Sequence, residues 1–389
     1  MTERSTEYGL VWNTRHLRVE LTVEIALCTL HCIGTEVTFY RHLILTLFQA
    51  MSPSIGKKYS CSWRIGLITI AVVANLFLGS NGSAQSQSGI PLVASSSGSL
   101  SPQLVSKHLL ANHDIKCILS DVDGTLLSSD VNKHQISKRT FTAIAAIIDR
   151  GYPFYPCTGR SRHSMALAAP EIVNLFGGDI SNVPGVYQQG LQVYGPSGVL
   201  IYEKFLGVSE IADVVRFCDQ QEVAVIAYAG DRIFCRQRCR QTDKIGEYSE
   251  PPPDVYSPGL ENLGDIGVKV HKLILLADEA ELLKIRPLLS DFMKQSVCLT
   301  KAVPGMLEVL PLGSSKGEGV SVLLKHIGIL PDNVMAFGDG ENDVEMFTLV
   351  KLGIAVENAK DILKKVAQAV TLSNDDDGVA EVLEILLKM

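Results

Sequence analysis

The chain has 389 residues, 46% of them hydrophobic and 20% charged, enough for about two domains with buried cores and too apolar for disorder throughout. Its formal net charge of −7 excludes a protein that sheathes nucleic acid, which needs a Lys/Arg surplus to displace counterions from phosphate. Nine cysteines, an odd number spread along the chain, do not make the dense framework of a secreted disulfide scaffold.

From the amino terminus, the one long apolar run is Ile65 to Gly79, short of the ~20 residues that a bilayer span needs. Lys57, Lys58 and Arg64 precede it and Gly82, Ser83 and Ala84 follow it, the layout of a signal sequence cleaved after Ala84. Translation from Met51 would make Ser52 to Arg64 the charged leader, with residues 1–50 an upstream extension. The targeting reading implies the secretory pathway or an organelle reached through it. A buried or anchoring helix is the competing reading, and a cytoplasmic location follows if the segment is not used. Ser80 to Ser106 is rich in Ser, Gly and Gln, the composition of a flexible linker.

From Lys116 onward short apolar runs alternate with helical periodicity. A strand is predicted at Cys117 to Ser120, then a helix with Phe141, Ile144, Ile147 and Ile148 on one face, closed by Gly151, then a strand at Pro153 to Cys157. Much later Val320, Leu323, Leu324 and Ile327 mark a helix. Strands at Val334 to Phe337 and Gly353 to Val356 follow, with a last helix through Leu383, Ile385 and Leu386. This alternation predicts a doubly wound α/β core with a parallel sheet. An insert with strands of its own, such as Val223 to Ala227 and Lys272 to Leu276, is expected to form a second domain. The expected division is an extension over 1–106, core over 107–185, insert over 186–303 and core again over 304–389.

Four motifs lie at strand ends or helix starts. Asp121-Val122-Asp123-Gly124-Thr125-Leu126 follows the first strand, where ligands bind in such sheets. Its two acids can aim one carboxylate at a reacting centre with the other close by, and Gly124 permits a sharp turn. A calcium loop would need a Glu at its twelfth position, which here is Asn132. Thr158-Gly159-Arg160 follows the next strand and offers a hydroxyl and backbone N–H groups to an anionic oxygen. Lys316-Gly317 opens a helix, so that an ammonium and a positive helix end face one place. Gly338-Asp339-Gly340-Glu341-Asn342-Asp343 carries two carboxylates four residues apart, suited to a hard cation.

On these four motifs, the last 270 or so residues, about Lys116 to Met389, resemble the haloacid dehalogenase superfamily, and specifically its Cof-type phosphatases. The resemblance implies a Rossmann-like core with an inserted α/β cap, and hydrolysis of a small phosphorylated metabolite through an aspartyl phosphate. It makes Asp121 the nucleophile and Asp123 the acid/base, with Thr158, Gly159, Arg160, Lys316 and Asn342 binding phosphate. Mg2+ would be held by Asp121, the backbone carbonyl of Asp123 and Asp339, with Asp343 orienting that shell. An all-oxygen set favours Mg2+ over zinc. Gln188-Gln189-Gly190 departs from the Asn-Gly usual in relatives. Alternatives are a phosphosugar mutase, a phosphatase dedicated to one sugar phosphate, or a binding module that kept the fold; a binder, however, needs neither nucleophile nor acid. Membrane contact is expected only through the amino-terminal segment. Arg232, Arg236, Arg238, Arg240 and Lys244 concentrate charge in the insert; they read either as a solvated face or as a grip on a second anionic group.

Overall fold

The computed structural model describes residues 103–129 and 135–389; the expected signal segment at 57–84 and residues 1–50 lie outside the described residues. Among the described residues no helix is long and apolar enough to cross a membrane.

The core sheet has six strands in the order Gln103–Leu104, Ala369–Val370, Leu352–Ala355, Val334–Gly338, Cys117–Ser120 and Phe154–Pro156, every pair parallel. Cys117–Ser120 and Val334–Gly338 are buried at every residue, which is why they read as unbroken apolar runs rather than alternating ones. Helices Lys138–Asp149, Lys316–Ile327 and Gly378–Leu387 press apolar stripes on the sheet: Ile144 and Ile147, Val320 and Leu323, Val382 and Leu383 are all fully buried. The helix starts are capped by side chains, as at Ser137, whose hydroxyl accepts from the Thr140 amide, and at Ser315, which accepts from Glu318. From Cys117–Ser120 the chain moves to Phe154–Pro156 on one side, while Val334–Gly338 lies on the other. The order reverses there, and the crevice outside the strands' carboxyl ends opens at that point.

The second sheet runs Val297–Thr300, Met306–Pro311, Lys272–Leu276, Ala224–Ala229, Arg232–Cys235, Asp254–Val255, antiparallel except for the last pair. Helices Val208–Gln221 and Glu279–Phe292 cover one face, with Val214, Phe217, Leu282 and Leu289 in a separate apolar cluster. The doubly wound parallel core with an inserted α/β cap, expected from the sequence, is the fold observed.

Three details differ from the sequence reading. Gln103–Leu104, placed in the linker, forms an edge strand of the core sheet. Gly185–Tyr187, at the expected boundary of core and insert, forms a small antiparallel sheet with Gln192–Tyr194 and Leu200–Glu203, which were placed in the insert; Val186, Tyr187 and Val193 join the core's apolar cluster. Met306–Pro311, placed in the second part of the core, pairs with Lys272–Leu276. Strand pairing therefore puts the cap at about residues 206–311, not 186–303. The residues of the arginine cluster are exposed. Arg232 pairs with Asp254, Arg236 with Asp219 and Glu261, and Arg238 with Asp243, while Arg240 and Lys244 are exposed. This agrees with a solvated face.

Candidate active site

Each of the four motifs emerges from a strand end or opens a helix at the same edge of the core sheet. Asp121 follows Ser120 and its amide donates to the carbonyl of Phe337 at 3.0 Å, so the first loop is tied to the strand that delivers Asp339. Gly124 turns the chain at φ 72°, and a Cβ there would stand 2.6 Å from a carboxylate oxygen of Asp339. The glycine therefore serves both the turn and the close approach of that acid.

Lys316 opens its helix with its ammonium 1% exposed, 2.6 Å from Oδ1 of Asp121 and 2.7 Å from Oδ1 of Asp343. The other oxygen of Asp343 accepts from the amides of Asp339 (3.1 Å) and Gly340 (2.9 Å). Asp343 is thus saturated and fixes both Lys316 and the loop that carries Asp339. Carboxylate oxygens of Asp121, Asp339 and Asp343 lie within 4.8 Å of one another. Ionised, the three acids and Lys316 carry a net charge of two negatives. Burial first, then the neighbouring acids, push Asp121 well above the usual carboxylate range, against the pull of Lys316. Burial and Asp343 likewise raise Asp339 to about 6. Burial would lower the ammonium's pKa, but Asp121 and Asp343 outweigh it and hold Lys316 firmly charged. A crowded, all-oxygen acid cluster with two uncompensated charges suits a hard divalent cation, so these residues fit the metal that the sequence implies.

Thr158 is fully buried; its hydroxyl accepts from the Arg160 amide at 3.1 Å. The turn Gln188–Gly190 braces this loop, with the Gln188 amide donating to the Arg160 carbonyl (2.8 Å) and the Gln189 amide to that of Thr158 (3.1 Å). The Arg160 guanidinium lies against Asp123 through Nε (2.8 Å) and Nη2 (2.7 Å). It also reaches Ser164 and the Tyr248 carbonyl and lies 3.8 Å from Glu250 of the cap. Burial opposes its charge, yet Asp123 more than compensates. So Asp121, Lys316, Asp339 and Asp343 come together as one cluster, while the guanidinium of Arg160 is engaged with Asp123.

Asn342 is 5% exposed and donates to the side chain of Gln189 at 3.1 Å. The sequence reading missed Gln189 as a participant, along with Lys272 and Glu308 of the cap. Its signal was present: a single charge inside an apolar strand, as in His271-Lys272-Leu273-Ile274-Leu275 and Met306-Leu307-Glu308-Val309-Leu310, is rarely buried unless paired.

A family profile described as haloacid dehalogenase-like hydrolase matches residues 118–383. The chain belongs to this family of hydrolases, and its Cof-type resemblance holds in structure as well. A HAD/COF-like hydrolase from Plasmodium vivax superposes with a TM-score of 0.65 at 28% identity, covering 72% of this chain and 99% of that one. The Arabidopsis thaliana protein named "Endoribonuclease YBEY, chloroplastic" is 34% identical over 271 residues, 68% of this chain. The match spans only 45% of that relative's length. The Bacillus subtilis 5-amino-6-(5-phospho-D-ribitylamino)uracil phosphatase YwtE is 25% identical over 296 residues, 70% of this chain and 98% of that protein. The expected enzyme class, a hydrolase of phosphoric monoesters, agrees with the hydrolase family and with the phosphatase name of this last relative.

Proposed function

We propose that this chain is a Mg2+-dependent phosphatase of small phosphorylated metabolites, acting through an aspartyl phosphate on Asp121. The observation that carries the reading is the buried cluster in which Lys316 bridges Asp121 and Asp343 beside Asp339. Phosphate monoesters resist hydrolysis in water, so catalysis needs an aligned nucleophile and stabilisation of spreading negative charge. Lys316 holds one oxygen of Asp121, which leaves the other for in-line attack on phosphorus. Asp121, Asp339 and the backbone carbonyl of Asp123 would hold Mg2+, with Asp343 bracing the loop. Bound there, the metal supplies charge neutralisation between nucleophile and phosphoryl oxygens. The Thr158 hydroxyl, the Lys316 ammonium and the Asn342 amide are the donors for those oxygens. Released from Arg160 and protonated from solvent, Asp123 would give that proton to the leaving oxygen and then take one from the water that splits the acyl phosphate; in the structure its carboxylate is held by Arg160.

Mg2+ at about a hundredfold over its dissociation constant is expected to stabilise the protein by ~2.7 kcal/mol, a rise in Tm of order 5 °C or more. The shift should grow as pH rises through about 6, because the metal competes with the proton held by Asp339. Thermal melts of Asp339→Asn should lose the shift; an undiminished shift in that variant would place the metal elsewhere.

Asp123→Asn should keep metal binding and lose leaving-group protonation, so alkyl phosphates suffer more than p-nitrophenyl phosphate. Equal losses in kcat/KM, which reports phosphoryl transfer to Asp121 rather than the hydrolysis common to both esters, would contradict the acid role.

A further inference from the structure

Lys272 and Glu308 are 2% and 4% exposed, charged residues on adjacent antiparallel strands of the cap. Glu308 is paired across the ladder with Ile274, so Lys272 stands two residues away on the same face. Its ammonium lies 2.6 Å from Oε2 of Glu308. Burying an ion pair is a poor way to stabilise a sheet, since apolar residues of like volume often do as well or better. The remaining bonds of the pair lead out of the cap. The Lys272 ammonium also donates to the carbonyl of Gly159 at 2.8 Å. Oε1 of Glu308 accepts from Nε2 of Gln189 at 2.7 Å, and Oε1 of Gln189 accepts from Nδ2 of Asn342 at 3.1 Å. One end of this chain of bonds is thus the peptide after Thr158, and the other is the residue before Asp343.

The geometry points to Lys272 and Glu308 as positioning residues: seated over the core, the cap's ion pair fixes the Thr158–Arg160 loop directly and Asn342 through Gln189. Both loops reach their working geometry only with the cap in place. Two features of the backbone agree. Gln189, the middle of the relay, sits at φ 60°, ψ 33°, a region that costs a non-glycine residue energy and that persists where surroundings enforce it. Gly159 leaves room for it, since a Cβ there would stand 2.5 Å from the Gln189 amide nitrogen. A fully bonded buried chain with an ion at every step but the last is rigid, and a misplacement of ~1 Å at a reacting centre costs roughly 10²-fold in rate. The inference rests on the phosphatase reading only for what the two loops bind.

The test uses the full chain carrying Gln189→Gly, the paired change Lys272→Met with Glu308→Leu, and all three together. The paired change leaves no unpaired charge, and glycine accepts the left-handed backbone at 189. Each should lower kcat on p-nitrophenyl phosphate roughly tenfold to a hundredfold with KM changed less than about threefold, and the triple variant should lose no more than the worse of the two. Hydrogen exchange should quicken in peptides holding Gly159 and Asn342, while those of the cap strand Ala224–Ala229 keep their protection. Wild-type kcat with unchanged exchange in the paired variant would overturn the inference, as would losses that simply add. If the paired variant loosens the cap strand itself, Gln189→Gly decides alone, by the same two readouts. A wild-type protein that turns over no phosphate ester would sink the phosphatase reading instead, and the exchange data would still decide this one.

Discussion

Asp121→Asn is expected to lower kcat on p-nitrophenyl phosphate by roughly 10³-fold or more, because an amide is a poor nucleophile for phosphorus. The same change should leave Tm equal or higher. The native carboxyl is held well above its usual pKa by burial and by the acids around it, so the folded state binds its proton more tightly than the unfolded state. Stability is then lost as pH rises from the unfolded pKa of about 3.8 towards the folded value, and an ionised Asp121 weighs against folding at neutral pH. A neutral amide of the same shape removes that penalty. Activity and stability should thus move in opposite directions, as they do where a site is kept strained for function. Steady-state kinetics beside thermal melts check both; a folded Asp121→Asn that keeps more than a small fraction of the wild-type rate would refute the nucleophile.

Lys316→Met should lose both. Removing one partner of a buried pair leaves an uncompensated charge and costs about 3–5 kcal/mol, and here Asp121 and Asp343 are both stranded. At roughly 2–4 °C per kcal/mol for a domain of this size class, melting in metal-free buffer should fall by about 10 °C. Turnover should drop by about 10³-fold, since the ammonium both orients Asp121 and meets the phosphoryl charge. Adding Asp343→Asn removes one stranded charge, so the double variant should recover melting temperature without recovering rate. An unaltered melting temperature in Lys316→Met would mean that the ammonium does not balance the acid cluster.

The parts of the fold that could be read from sequence are those governed by local pattern. Cys117–Ser120 and Lys272–Leu276 lie where they were expected, because a buried strand reads as a short, mainly apolar run. The motif residues Asp121, Thr158, Lys316 and Asp339 were legible for a second reason: each sits at a strand end or helix start, and sheet topology alone brings such places to one edge. The cap boundary was not legible. Met306–Pro311 is as apolar as a core strand, and only its non-local register with Lys272–Leu276 assigns it to the cap. Gly185–Tyr187 failed in the opposite sense, since a parallel bridge from Val186 to Cys157 keeps that hairpin with the core. Arg160 shows the same limit at the level of one side chain. Its type suits phosphate, but which anion it grips depends on the position of Asp123 and on a cap segment 88 residues away. The arginine-rich stretch needed its partners too: Asp219, Asp254 and Glu261 neutralise it from elsewhere in the cap.

The claim at the centre of this account is that Asp121 carries the phosphoryl group covalently, and trapping it is the direct measurement. Asp123→Asn should still accept a phosphoryl group from p-nitrophenyl phosphate, whose leaving group needs no acid, but should release it slowly for want of a base. Acid quench, digestion and mass spectrometry should then find one added phosphoryl group on the peptide spanning Cys117 to Leu126, localised to Asp121. An unmodified Asp121 in a variant that still turns over the ester, or a phosphoryl group on any other residue, would contradict the account.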